Sequence, residues 1–135
     1  MREISKVKSN RKGYLVDTNI FIWLMEKNKR IPSDFVSIVQ SPQNPVFLSV
    51  ASIWEMVLKK GKGRLKIPKN IEKDVGTAGF AIIAIDTSHV LGVQELPRYH
   101  KDPFDRLLIA QAKVENLILL TVDPKIKKYD IKTLE

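Results

Sequence analysis

Four acidic residues stand where a carboxylate could meet a ligand: Asp17, Glu55, Asp105 and Asp123. Asp17 directly follows the apolar run Tyr14-Leu15-Val16, and Glu55 falls in the first turns of a helical pattern after Val46-Phe47-Leu48. Asp105 opens a long, mostly apolar helical stretch, and Asp123 follows Leu117–Thr121. Each acid also suits a local role. Asp17 fits an N-cap or Asx turn, Ser52-Ile53-Trp54-Glu55 has capping-box spacing, and Glu55 can pair with Lys59 at i+4. Asp102-Pro103-Phe104-Asp105 and Asp123-Pro124 both read as helix starts. Jointly the acids demand more, because two carboxylates about 5 Å apart repel by roughly 3 kcal/mol at an effective dielectric near 20. Convergence at one edge would call for a hard divalent cation, Mg²⁺ or Mn²⁺, which prefers carboxylate and water oxygens. Such an ion lowers the pKa of water and neutralises charge on a phosphoryl oxygen, which is the chemistry of metal-assisted phosphodiester hydrolysis.

Convergence depends on the elements that carry these residues. Short continuous apolar runs at Tyr14–Val16, Val46–Leu48, Ala81–Ile85 and Leu117–Leu120 read as buried strands, with Tyr129–Lys132 as an edge strand. Helical patterns fall between them, at Ser33–Gln40, residues 70–79, Ser88–Leu96 and Phe104–Val114, the last apolar on all sides. Ile20–Met25 fits strand or helix. Val50, Ile53, Trp54, Val57 and Leu58 form an apolar helical stripe, which predicts that Trp54 is core; Trp23 suits core or a dimer contact. Alternation of strand and helix predicts an α/β three-layer fold, with a mainly parallel central sheet of four to five strands flanked by helices. In such sheets ligands bind beyond the carboxyl ends of the strands, where all four acids fall.

Composition narrows the function further. The 135 residues fit one domain, expected over 13–135 behind a basic arm at residues 1–12. With no cysteine, disulfides, thiolate catalysis and cysteine-based metal sites are excluded. His89 and His100 lack the spacing of a zinc-protease motif and read as packing or capping residues. No apolar run exceeds six residues, so neither a signal peptide nor a membrane span is expected, and the compartment read from the sequence is the cytoplasm. A formal net charge of +8 favours a polyanionic partner. Lys59, Lys60, Lys62, Arg64 and Lys66 cluster just after the helix carrying Glu55, as a phosphate-binding rim or a solvated helix end. Arg106 suits either a phosphate contact or a structural pairing with Asp102.

Four segments together resemble a known family: Leu15-Val16-Asp17-Thr18-Asn19, Ser49 to Glu55, His100 to Ala112 with its core DPFDRLLIAQA, and Leu120 to Asp123. The chain is similar, from about residue 13 to its end, to PIN-domain nucleases, and within them to the VapC-type toxins of toxin–antitoxin pairs. The resemblance implies that Asp17, Glu55, Asp105 and Asp123 hold one or two Mg²⁺ or Mn²⁺ ions, braced by Thr18, Asn19, Ser52 and Thr121. It also implies cleavage of RNA to 5′-phosphate and 3′-hydroxyl ends, a homodimer, and a cognate antitoxin whose C-terminal segment fills the groove. Two other readings are a PIN-like domain that binds RNA without cutting it and a receiver-type acidic signalling pocket. The latter would carry adjacent acids after its first strand, where this chain has Asp17-Thr18.

Overall fold

A computed structural model describes residues 13–63 and 69–134. The expected basic arm at residues 1–12, and Arg64 and Lys66 of the basic run, lie outside the described residues.

Tyr14–Val16 forms strand β1, buried along its whole length, and stops at Asp17, whose Oδ1 accepts the Ile20 N–H at 2.7 Å. That cap starts helix α1, Thr18–Glu26, so the ambiguous Ile20–Met25 run is helical. Helix α2, Ser33–Gln40, leads to strand β2, Val46–Ser49, and helix α3, Val50–Gly61, follows without a loop. Here the N-cap is Ser49, whose Oγ accepts the Ala51 N–H at 3.0 Å; the capping box expected from Ser52 and Glu55 does not form, and both side chains are released for other contacts. Helix α3 ends at Gly61, and Gly63 turns the chain at φ +72°, a conformation open to glycine.

The remainder runs through α4 (Ile71–Thr77), β3 (Ala81–Ile83), α5 (Thr87–Gly92) with a 3-10 turn at Val93–Glu95, α6 (Pro103–Glu115) and β4 (Ile118–Leu120). Asp102 caps α6 through the Phe104 and Asp105 N–H groups, and Pro103 supplies the first turn. The middle of α6 is buried, but Val114 near its end is 46% exposed, so the helix is not enclosed on all sides. The expected edge strand at Tyr129–Lys132 does not form. The Tyr129 side chain is drawn into the core, and the segment keeps a single parallel bridge, Leu119 with Thr133.

Among the described residues the sheet has four strands, all parallel, in the order β3-β2-β1-β4. Alternate residues of each strand face opposite layers. Tyr14, Val16, Val46, Leu48 and Leu120 pack on one side with Ile20, Phe21, Phe35 and Phe80. Leu15 and Leu119 pack on the other with Leu108, Ile109, Ala112 and Ile126. The sheet is therefore the middle of three layers, as the alternation of elements predicts.

Register positions the chemistry. Val16 pairs with Leu48 on one side and Leu120 on the other, so three strands end level with one another. Asp17, Ser49 and Thr121 are the residues at or just past that line. The chain leaves β1 to pair with β2 on one side and β4 on the other, and such a reversal of strand order opens a crevice at the carboxyl edge.

Helix α3 lies along this edge and buries Ala51, Ser52 and Met56. Most of the apolar stripe read as core faces outward instead: Trp54 is 56% exposed, and Val50, Val57 and Leu58 are exposed with it, while Ile53 alone of the five packs against the core. Helical periodicity identifies a stripe but not what covers it. Trp54 rests edge-on against Phe104 at 4.9 Å between ring centroids, so it is held on the surface rather than inside.

Candidate functional site

The crevice is a cleft of about 360 Å³ lined by Asp17, Glu55, Asp105 and Asp123, together with Thr18, Asn19, Lys59, Asp102, Val122 and Pro124. All four acids singled out from the sequence thus meet in one place, each delivered by a different crossover.

Asp17 is held most deeply, at 4% exposure. Its carboxylate receives hydrogen bonds from the Ile20 N–H and the Thr121 hydroxyl, yet burial outweighs them and, with the charges of Asp123 and Glu55, raises its pKa to about 6. Thr121 in turn accepts the Asp123 N–H at 3.0 Å, so one hydroxyl links two of the acids. Asp105 is raised to about 7, first by burial and then by the neighbouring charge of Asp102, with Asp17 and Glu55 adding to the effect against an attraction from His100.

Glu55 sits one turn into α3 with its side chain 12% exposed. Lys59 lies 3.3 Å from Oε2, the i+4 pair foreseen from spacing. The other oxygen, Oε1, is buried without a hydrogen-bond partner among the described residues. Thr18 and Ser52 sit behind the acids, where the Thr18 hydroxyl donates to Ser52 Oγ at 2.8 Å, and Asn19 lines the rim.

These donors fit a hard divalent cation. The carboxylates of four acids line one cleft, two of them are raised toward neutrality, and a buried carboxylate oxygen on Glu55 has no partner among the described residues. An unpaired buried acceptor costs about 1–3 kcal/mol, which a cation would offset.

The basic residues separate by position. Lys59 is on the cleft wall, whereas Lys60 and Lys62 are exposed at the far end of α3 and do not line it. Among the described residues Arg106 makes no ion pair with Asp102, the structural role expected of it, and is fastened mainly to backbone carbonyls instead. Its guanidinium donates to the carbonyls of Val93, Leu96, Pro97 and His100 and to the Tyr129 hydroxyl, which fastens the segment before α6.

His100 is the residue that sequence reasoning passed over. Its Nε2 lies 2.8 Å from Asp123 Oδ2 and 3.1 Å from Asp105 Oδ2. The available signal was its position, two residues before the Asp102 cap; nothing in that spacing reveals Asp123 on the other side. His89 keeps its local role, with Nδ1 accepting the Asp86 N–H and Nε2 2.7 Å from Glu115, so it docks α5 on α6.

No curated protein matches the chain significantly. Among solved structures it is similar to a chain of VapBC2 from Rickettsia felis bound to a promoter DNA fragment, with TM-score 0.67 and 19% identity over 90% of this chain and 97% of that one. A toxin–antitoxin complex from Klebsiella pneumoniae matches at TM-score 0.60 and 24% identity, over 90% and 96%. FitAcB from Neisseria gonorrhoeae matches at 0.65 and 19%, again over 90% and 96%. At these identities the structures establish a shared fold. The PIN domain profile covers residues 14–132, which contain every strand and all four cleft acids, and on that evidence the chain belongs to the PIN-domain family.

Proposed function

We propose that this protein is a Mg²⁺- or Mn²⁺-dependent endoribonuclease, the toxin of a toxin–antitoxin pair, acting as one nuclease unit over residues 13–135. The observation that carries the reading is the convergence of Asp17, Glu55, Asp105 and Asp123 in one cleft, with Glu55 Oε1 buried and without a partner among the described residues. The PIN-domain membership and the likeness to toxin–antitoxin complexes support the nuclease and antitoxin parts, and the net charge of +8 supports an RNA substrate. The proposed compartment is the cytoplasm.

Asp17 and Asp105 are the principal candidate ligands, Glu55 a ligand or the carboxylate that orients the attacking water, and Asp123 a ligand to a second or weaker ion. The cation, when bound, supplies charge neutralisation at the phosphoryl oxygens and acidifies water. The protein's own groups then divide the work. Glu55 accepts a proton from the water that attacks phosphorus, the bond from phosphorus to the 3′-oxygen breaks, and that oxygen takes a proton from solvent. The products carry 5′-phosphate and 3′-hydroxyl ends. Thr18, Asn19, Ser52 and Thr121 hold the acids in place. Lys59, at the cleft wall, is the described basic residue best sited to meet a backbone phosphate, with Lys60 and Lys62 farther along the same helix.

A homodimer is part of the reading. Trp54, Val57 and Leu58 on α3 and Val90 and Leu91 on α5 form exposed apolar surface of the kind that subunit contacts cover.

The test is cleavage of end-labelled single-stranded RNA by purified protein. Cutting with Mg²⁺ or Mn²⁺, loss of cutting in EDTA, and an Asp105→Asn variant that binds RNA without cutting it are expected. Undiminished cleavage by Asp105→Asn, or cleavage indifferent to EDTA, overturns the proposal.

A further inference from the structure

His100 bridges two parts of the chain that only the fold brings together, Asp105 at the start of α6 and Asp123 after β4. Its protonation pattern follows from its other nitrogen. Nδ1 accepts the Asp102 N–H at 3.1 Å, so its lone pair is engaged. A neutral imidazole carries one proton, which must then sit on Nε2, directed to Asp123 Oδ2 with Asp105 Oδ2 beside it. In that tautomer Nε2 has no lone pair to offer a metal; it is a donor.

The rest of the residue is equally constrained. The His100 N–H donates to the Tyr129 hydroxyl at 2.9 Å, and Tyr129 donates to the Pro97 carbonyl at 2.7 Å. Arg106 reaches the His100 carbonyl at 3.4 Å. Asp123, for its part, is fixed at Oδ1 by the Lys125 N–H at 2.9 Å and at its own N–H by Thr121.

We infer that His100 is a positioning residue that donates its Nε2–H to Asp123 with Asp105 in contact beside it, sets the separation of these two carboxylates for the cation, and does not itself ligate it. The inference rests on the cation-binding reading above. It explains why Asp123, at the end of a loop and 31% exposed, can hold a defined place beside a more buried acid.

The experiment compares wild type, His100→Gln and His100→Ala in full-length protein, titrating Mg²⁺ and Mn²⁺ separately by calorimetry. Glutamine keeps a side-chain N–H donor; alanine has none. We expect alanine to weaken both ions by a similar factor, about tenfold, as removal of a residue that orients a ligand does, and glutamine to recover most of the loss. Equal or tighter binding by His100→Ala overturns the inference. So does a loss confined to Mn²⁺, which would mark a nitrogen ligand. Nitrogen-15 NMR of the metal-free ring gives an independent readout: the Nε2-protonated tautomer is expected, and the Nδ1-protonated one refutes the assignment. A wild-type chain that takes up neither ion removes the cation reading and the role of His100 toward it. A wild type that binds, with His100→Ala binding equally well, removes only the latter.

Discussion

The Thr18 hydroxyl donates to Ser52 Oγ at 2.8 Å across 34 residues of sequence, both side chains being buried. This contact ties α1 to α3 directly behind Asp17 and Glu55. Thr18→Val and Ser52→Ala should each cost about 1–2 kcal/mol, since each strands a buried hydroxyl or leaves a small gap. The double variant should cost less than the sum, as expected for partners in one contact. Urea denaturation of the four proteins measures the coupling.

In metal-free protein, burial holds the protons on Asp17 and Asp105 to about pH 6 and about pH 7, whereas an ordinary aspartate loses its proton near 3.8. Between those limits the native state binds more protons than the unfolded state, so stability falls as pH rises from about 4 to about 7 and then levels. At about 1.4 kcal/mol per pKa unit, the expected loss is on the order of several kcal/mol. Thermal melts in EDTA across this range should show a declining Tm, and Asp105→Asn should flatten the upper part of the decline. Added Mg²⁺ should restore stability most at the high-pH end, where the carboxylates are charged.

Arg106 satisfies four carbonyls and a hydroxyl from one guanidinium, a geometry that a lysine cannot reproduce. Arg106→Lys is therefore expected to destabilise the fold by about 2–4 kcal/mol. Chemical denaturation tests this, and a change within experimental error would contradict the structural role.

Lys59 is half-exposed, so its pairing with Glu55 should contribute little to stability. Lys59→Gln is expected to shift the folding free energy by no more than about 0.5 kcal/mol. RNA binding should respond more: the slope of log K against log salt should fall by about one unit if the ammonium meets a phosphate. Titrations of catalytically silent Asp105→Asn, with and without Lys59→Gln, isolate this effect from cleavage.

The exposed stripe on α3 and the pair on α5 should matter for assembly. Trp54→Glu or Leu91→Glu is expected to shift a dimer toward monomer in light scattering while leaving the circular dichroism of the fold intact. Unaltered mass in both variants would argue that these faces are not the subunit contact.

Much of the architecture was legible along the chain because buried parallel strands are continuous apolar runs and helix starts carry their own caps. Val16 ending at Asp17, the Asp102-Pro103 start of α6 and the 33–40 helix are local events, settled by hydrogen bonds and backbone angles within a few residues. The four acids were identifiable for a related reason, since Asp17 and Asp123 stand just past a strand and Glu55 and Asp105 in the opening turns of a helix. What no local pattern contains is which face of a helix meets the rest of the molecule. Ser52 was expected to cap its helix but turns inward to Thr18, because α3 starts one turn earlier, at the Ser49 cap. Trp54 looked like core, yet α3 lies along the sheet edge and buries the neighbouring stripe. Tyr129 left the expected edge strand because its ring is more stable in the apolar layer beneath Leu119, with its hydroxyl on Pro97. His100 shows the division most plainly: as an isolated histidine it read as a packing or capping residue, and only the register of β1 with β4 brings Asp123 within hydrogen-bond distance of it. Residue type sets what a side chain can do, whereas the pairing of distant strands sets what it meets.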